Sequence, residues 1–78
     1  MRVQIYSLRK PVFSREAESV NVKTASGEIT VLDDHRPLIA PLMKGPIRVA
    51  GGGREDVIKA ESGFIEVRPK GEVNILID

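Results

Sequence analysis

There is no cysteine in the chain and only one histidine, so neither a disulfide nor a Cys/His zinc site can supplement the core. Aromatic side chains are almost as scarce, with Tyr6, Phe13 and Phe64 making up the whole set. A small nucleic-acid-binding barrel needs aromatic platforms on which bases stack, and two of these three rings are expected in the core. An excess of one charge is also lacking. Twelve Lys and Arg stand against eleven Asp and Glu, interspersed along the chain, which argues against the clustered basic face of a nucleic-acid or anionic-membrane binder. No run approaches the roughly 18 apolar residues of a membrane span. The charged start MRVQIYSLRKP is followed by too few apolar residues for a signal peptide. The expectation is a soluble, unexported chain in a reducing compartment. At this length only about 60% of the unfolded surface is buried on folding, so residues 1–78 are read as one domain whose thin core is helped by a partner.

What is present is alternation. Val3 and Ile5, Val20 and Val22, Ile29 and Val31, and Ile47 and Val49 each flank a residue of different character, the period of a strand with one buried face. Phe64 to Val67 and Val73 to Ile77 complete the set. Turn signals separate them: Lys10-Pro11, Ser26-Gly27, Lys44-Gly45-Pro46, Gly51-Gly52-Gly53, Ser62-Gly63 and Pro69-Lys70-Gly71. Short strands with turns every 8–12 residues or so indicate an all-β sandwich or barrel. One segment, Arg54 to Glu66, offers a competing helical spacing through Val57, Ala60 and Phe64. Gly63 interrupts it and Phe64-Ile65-Glu66-Val67 favours strand.

The chemistry-bearing residues each have a plainer reading. His35 follows Asp33 and Asp34, with Ser26 upstream, but adjacent residues on one extended segment rarely assemble a triad, and no nucleophile elbow is present. A structural or interface histidine is favoured over a catalytic one. As a metal ligand His35 lacks companions, because Asp33 and Asp34 point to opposite faces of an extended chain. Gly51 to Gly53 does not precede a helix with a Lys-Ser/Thr pair, as a phosphate loop would, and reads as a hairpin tip. Lys44 and Lys70 beside their glycines raise the option of a stand-alone β-domain that binds a ligand or carries a cofactor on a hairpin lysine. The chain shows no half-repeat of the kind such carriers have, so solvated turn lysines are favoured. No catalytic, cofactor-binding or metal-binding residue is expected.

The order of the motifs is more specific than any of them singly. VNVKTASGEITVLDDHRPLI, then KGPIRV, SGFIEV and EVNILID resemble the epsilon subunit of the F-type ATP synthase, from about Val3 to Ile77. That resemblance implies a flattened sandwich of about ten short strands and a non-catalytic part in the rotating central stalk, joining the gamma subunit to the membrane ring of c subunits. It implies a peripheral place on the cytoplasmic side of a bacterial membrane, with no direct insertion, no nucleic acid and no cofactor. Matched residue by residue, Thr24, Ala25, Ser26, Gly27 and Glu28 form the edge toward the ring, and His35, Arg36 and Leu38 belong to the gamma contact. Two departures stand out. Asp33-Asp34 occupies positions where the family often has Pro-Gly or Pro-Asn, and the family usually continues into two C-terminal helices. Helix-based inhibition and ATP binding are therefore not expected of this chain, which ends at Asp78.

Overall fold

A computed structural model describes all 78 residues and contains no helix. Nine strands follow one another: β1 (Arg2–Ser7), β2 (Pro11–Glu16), β3 (Ser19–Thr24), β4 (Gly27–Leu32), β5 (Leu38–Leu42), β6 (Gly45–Gly51), β7 (Arg54–Ala60), β8 (Gly63–Arg68) and β9 (Glu72–Ile77). The all-β sandwich holds, with nine strands where about ten were expected. The helical spacing over Arg54 to Glu66 resolves into β7 and β8, joined at Glu61-Ser62. Val57 and Phe64 reach solvent while Ala60 is buried, so the three share no face.

Pairing runs β2-β1-β9-β8-β5-β3-β6-β7, with β4 on the other edge of β3. The step from β5 to β3 rests on a single pair, Thr24 with Leu42, and there the sheet folds over into two layers. One layer holds β2, β1, β9, β8 and β5, and the other β4, β3, β6 and β7. The first and last strands are parallel neighbours, Val3 beside Val73 and Ile5 beside Ile75. The resulting body measures 26 × 24 × 19 Å.

Period-two alternation directs one side of each layer inward. The ten most deeply buried large side chains are all isoleucine or valine: Ile5, Ile47, Ile65, Ile75, Val3, Val20, Val22, Val31, Val49 and Val73. Branching at Cβ restricts χ1 and suits a pleated strand, so the core residues also favour the strands that carry them. No polar or charged residue is buried. Of the three aromatic rings only Phe13 packs against this core. Phe64 is 55% exposed and Tyr6 lies on an outer face, which corrects the expectation that two rings would be internal.

No ladder joins the two ends of the path, β2 and β7. Arg15 on β2 connects them instead. Its guanidinium donates from Nη1 to Asp56 Oδ2 on β7 at 3.1 Å and from Nη2 to the Gly51 carbonyl at 2.7 Å, while Nε donates to the Glu16 carbonyl at 2.8 Å. Beside it the Glu18 amide donates to the Ala50 carbonyl at 2.8 Å. The three consecutive glycines serve this junction in two ways. A Cβ on Gly51 would lie 2.8 Å from the Glu18 nitrogen, so glycine there permits the close approach of the chain. Gly52 and Gly53, with φ of +63° and +77° and open space around them, make the two-residue hairpin turn.

Candidate functional site

The β3–β4 hairpin ends in a stiffened tip. Thr24 Oγ1 accepts from the Ser26 amide at 3.2 Å and donates to the Gly27 carbonyl at 2.8 Å, a side-chain turn that holds Ala25 and Ser26 outward. Glu28 lies opposite Lys23 in the ladder, yet the two form no ion pair. The Lys23 stem runs over Gly45, where an added Cβ would fall 2.9 Å from Lys23 Cδ. This leaves the exposed Glu28 carboxylate without a cation.

The segment Asp33 to Pro37 lies at the other end of β4, about 20 Å away at the rise of a six-residue strand. Ser26 and His35 are therefore at opposite ends of the molecule, which separates the members of the triad the sequence offered. The His35 amide donates to the Leu32 carbonyl at 3.0 Å. Its Nδ1 lies 2.7 Å from the Arg36 carbonyl, which can only accept, so Nδ1 carries the proton. Arg36 is exposed and makes no ion pair. Leu38 turns inward against the core, and its neighbour Ile39 is the one that projects, 72% exposed. Asp33 has a partner that sequence reasoning missed: its Oδ1 lies 2.8 Å from the Met1 ammonium, which also donates to the Ala17 carbonyl at 2.8 Å. Asp34 is exposed and has no such partner.

The two outer faces of the sandwich differ in character. On the β4-β3-β6-β7 layer, Asn21 donates to Thr30 at 2.9 Å and Arg48 pairs with Glu55 at 3.3 Å, with Lys23, Glu28 and Lys59 around them and Leu32 and Val57 as separate exposed apolar residues, opposite Ser19 and Arg48 in the ladder. The other layer carries a row of cross-strand neighbours, Tyr6, Leu76, Phe64 and Pro41, taken in turn from β1, β9, β8 and β5. A second row beside it reads Gln4, Asn74, Glu66 and Ile39. Leu8, in the β1–β2 loop, joins Pro41, Phe64 and Leu76 around a concavity of about 410 Å³. Large apolar side chains grouped in this way on one face mark a surface that another molecule covers.

This apolar face is the candidate feature that sequence reasoning missed. A signal for it exists in the runs Phe64-Ile65 and Ile75-Leu76-Ile77. Uninterrupted apolar residues on a strand place hydrophobes on both sides of the sheet.

The whole chain, residues 1–78, matches the sequence profile described as ATP synthase, Delta/Epsilon chain, beta-sandwich domain. The chain belongs to that family. Among curated relatives, the ATP synthase epsilon chains of Bacillus thuringiensis and Bacillus cereus are each 43% identical over 67 residues, which is 86% of this chain and 50% of theirs. This delta/epsilon-type domain thus spans about half the length of the curated relatives it matches. Among solved structures, a chain of the Euglena gracilis mitochondrial ATP synthase, resolved with OSCP, F1 and the c-ring, superposes with a TM-score of 0.88 at 25% identity, covering 96% of this chain and 48% of that one. A chain of the Tetrahymena thermophila mitochondrial ATP synthase central stalk and c-ring superposes at 0.80 with 12% identity, over 97% and 61% respectively. That second likeness shows the fold alone.

Proposed function

We propose that this domain is a non-catalytic rotor element of an F-type ATP synthase, holding the gamma subunit and the c-subunit ring together so that ion translocation drives ATP synthesis. The observation that carries the reading is the contrast between the two outer faces, one mainly polar and one with its large apolar side chains grouped in a row, with an unpaired acid on a stiff hairpin at one end. A coupling element must resist torque, which calls for opposed contact surfaces on a rigid body. The apolar face of Tyr6, Phe64, Leu76 and Ile39 takes gamma. His35 and Arg36 flank it, and Ile39 replaces Leu38 as the aliphatic contact because Leu38 is turned into the core. The tip Thr24 to Glu28 takes the ring, with Glu28 meeting polar or basic loop residues. On this reading the domain is a peripheral component at the cytoplasmic surface of a bacterial membrane.

Affinity for the gamma subunit of the same organism tests the reading. Leu76→Asp is expected to weaken binding by at least about tenfold, since it puts a charge in the middle of an apolar contact. The variant should remain folded with a stability loss of about 1 kcal/mol, because Leu76 faces outward but is only 40% exposed and aspartate is disfavoured in a strand. Unaltered binding would remove gamma from this face. For the ring, Glu28→Cys is expected to form a disulfide with a cysteine introduced in a c-subunit loop. Cross-linking from Asn74→Cys on the opposite, apolar face, but not from Glu28→Cys, would reverse the orientation.

A further inference from the structure

Glu66 sits within the apolar face and has no partner of its own. Its cross-strand neighbours are Asn74 and Ile39, neither of which is charged. Arg68, two positions along the same strand, is engaged instead by Glu72 at 3.5 Å. Glu66 is partly buried, and no salt bridge or side-chain hydrogen bond reaches it. It lines a concavity of about 440 Å³ together with Tyr6, Ile39, Phe64, Asn74 and Leu76. In the free domain water solvates this carboxylate from the open side. A partner that covers the face removes that water, and a carboxylate left without a counter-charge under a protein contact opposes binding.

We infer that Glu66 is the charged anchor of this face and receives an arginine side chain from the gamma subunit, framed by apolar residues. This rests on the reading of the face as the gamma contact. The lining selects the chemistry. Phe64 and Tyr6 line the same concavity as Glu66 and are side chains on which a planar guanidinium stacks, while the carboxylate accepts two of its N–H groups side by side. Asn74 Oδ1, 3.2 Å from the Tyr6 hydroxyl, supplies a further acceptor in the same row. An ammonium would use fewer of these features. The apolar stripe thus provides the contact area, and Glu66 fixes the register in which gamma can dock, because any other register buries the carboxylate unpaired.

The test compares Glu66→Gln with Leu76→Asp in titrations against the gamma subunit at low and high salt. Glu66→Gln is expected to weaken binding about tenfold and to flatten its salt dependence, with unfolding unchanged because the side chain holds nothing in the free domain. Arginine-to-alanine substitutions along gamma should then reveal one whose effect vanishes in the Glu66→Gln background. If Glu66→Gln binds within about twofold of the parent while Leu76→Asp does not bind, the anchor is wrong and the face is right. If neither change matters, both the anchor and the gamma reading of the face fail. A lysine, rather than an arginine, coupled to Glu66 would overturn the choice of guanidinium.

Discussion

Gly63→Ala is expected to cost this domain at least about 3 kcal/mol, among the largest losses available to a single methyl group. A Cβ at this position would stand 2.1 Å from the Leu76 carbonyl oxygen and 3.1 Å from Ile77 Cα. Both are backbone atoms, so no side chain can move aside. The φ of +156° adds strain for any L-residue. Gly63 pairs with Ile77 at the start of β8, so relief requires the β8 and β9 strands to part at that end, next to the apolar concavity. For a domain whose whole stability is expected near 5 kcal/mol, the melting temperature should fall by more than about 12 °C. Gly52→Asn supplies the control. That glycine has φ +63° with nothing within 4 Å, a conformation asparagine tolerates, and its cost should stay below about 1 kcal/mol. Equal losses at the two sites would show that conformational freedom, rather than the Leu76 carbonyl, governs Gly63.

Arg15→Met should be the second large loss, about 2 kcal/mol by denaturant titration. Methionine keeps the unbranched stem and deletes the guanidinium, so the bonds to Asp56 and to the Gly51 and Glu16 carbonyls go together. The side chain is only 15% exposed, which puts this ion pair above the usual worth of one at the surface. Asp56 retains Arg54 at 3.3 Å, which limits the penalty on the acid. Asp56→Asn leaves Arg15 its two carbonyl partners and should cost less than half as much. If Arg15→Met unfolds at the denaturant concentration of the parent, the ends of the sheet path are held by β-layer packing alone.

These two residues also explain which strands were hard to read. Strands β1, β3, β6, β8 and β9 show their alternation openly because their inward positions are Val or Ile throughout most of their length. In β2 and β7 the inward positions include Arg15 and Asp56. A charge that faces its partner across the sandwich looks, along the chain, like a charge that faces water. The helical spacing in β7 and β8 has another source, the outward-facing hydrophobes Val57 and Phe64, which fall in helical register with the buried Ala60. The site was partly legible for a similar reason. The hairpin of Thr24 to Glu28 is local and carries its own turn chemistry. The apolar face is assembled from four strands distant in sequence, and only their register aligns Tyr6, Leu76, Phe64 and Pro41. Asp33, unexplained along the chain, becomes intelligible only beside Met1.

The parallel pairing of β1 with β9 has a consequence for how the molecule is made. Synthesis delivers β1 first and β9 last among the strands, and no local turn brings them together. Until β9 emerges, one edge of the β1–β2 hairpin carries unpaired amides and carbonyls beside Val3 and Ile5, a surface open to pairing with another nascent chain. Sheets closed by such distant pairings mature in milliseconds to seconds or so, slower than helical bundles of like size. The period of greatest risk for this domain therefore falls during translation, before the strand that completes the sheet has arrived.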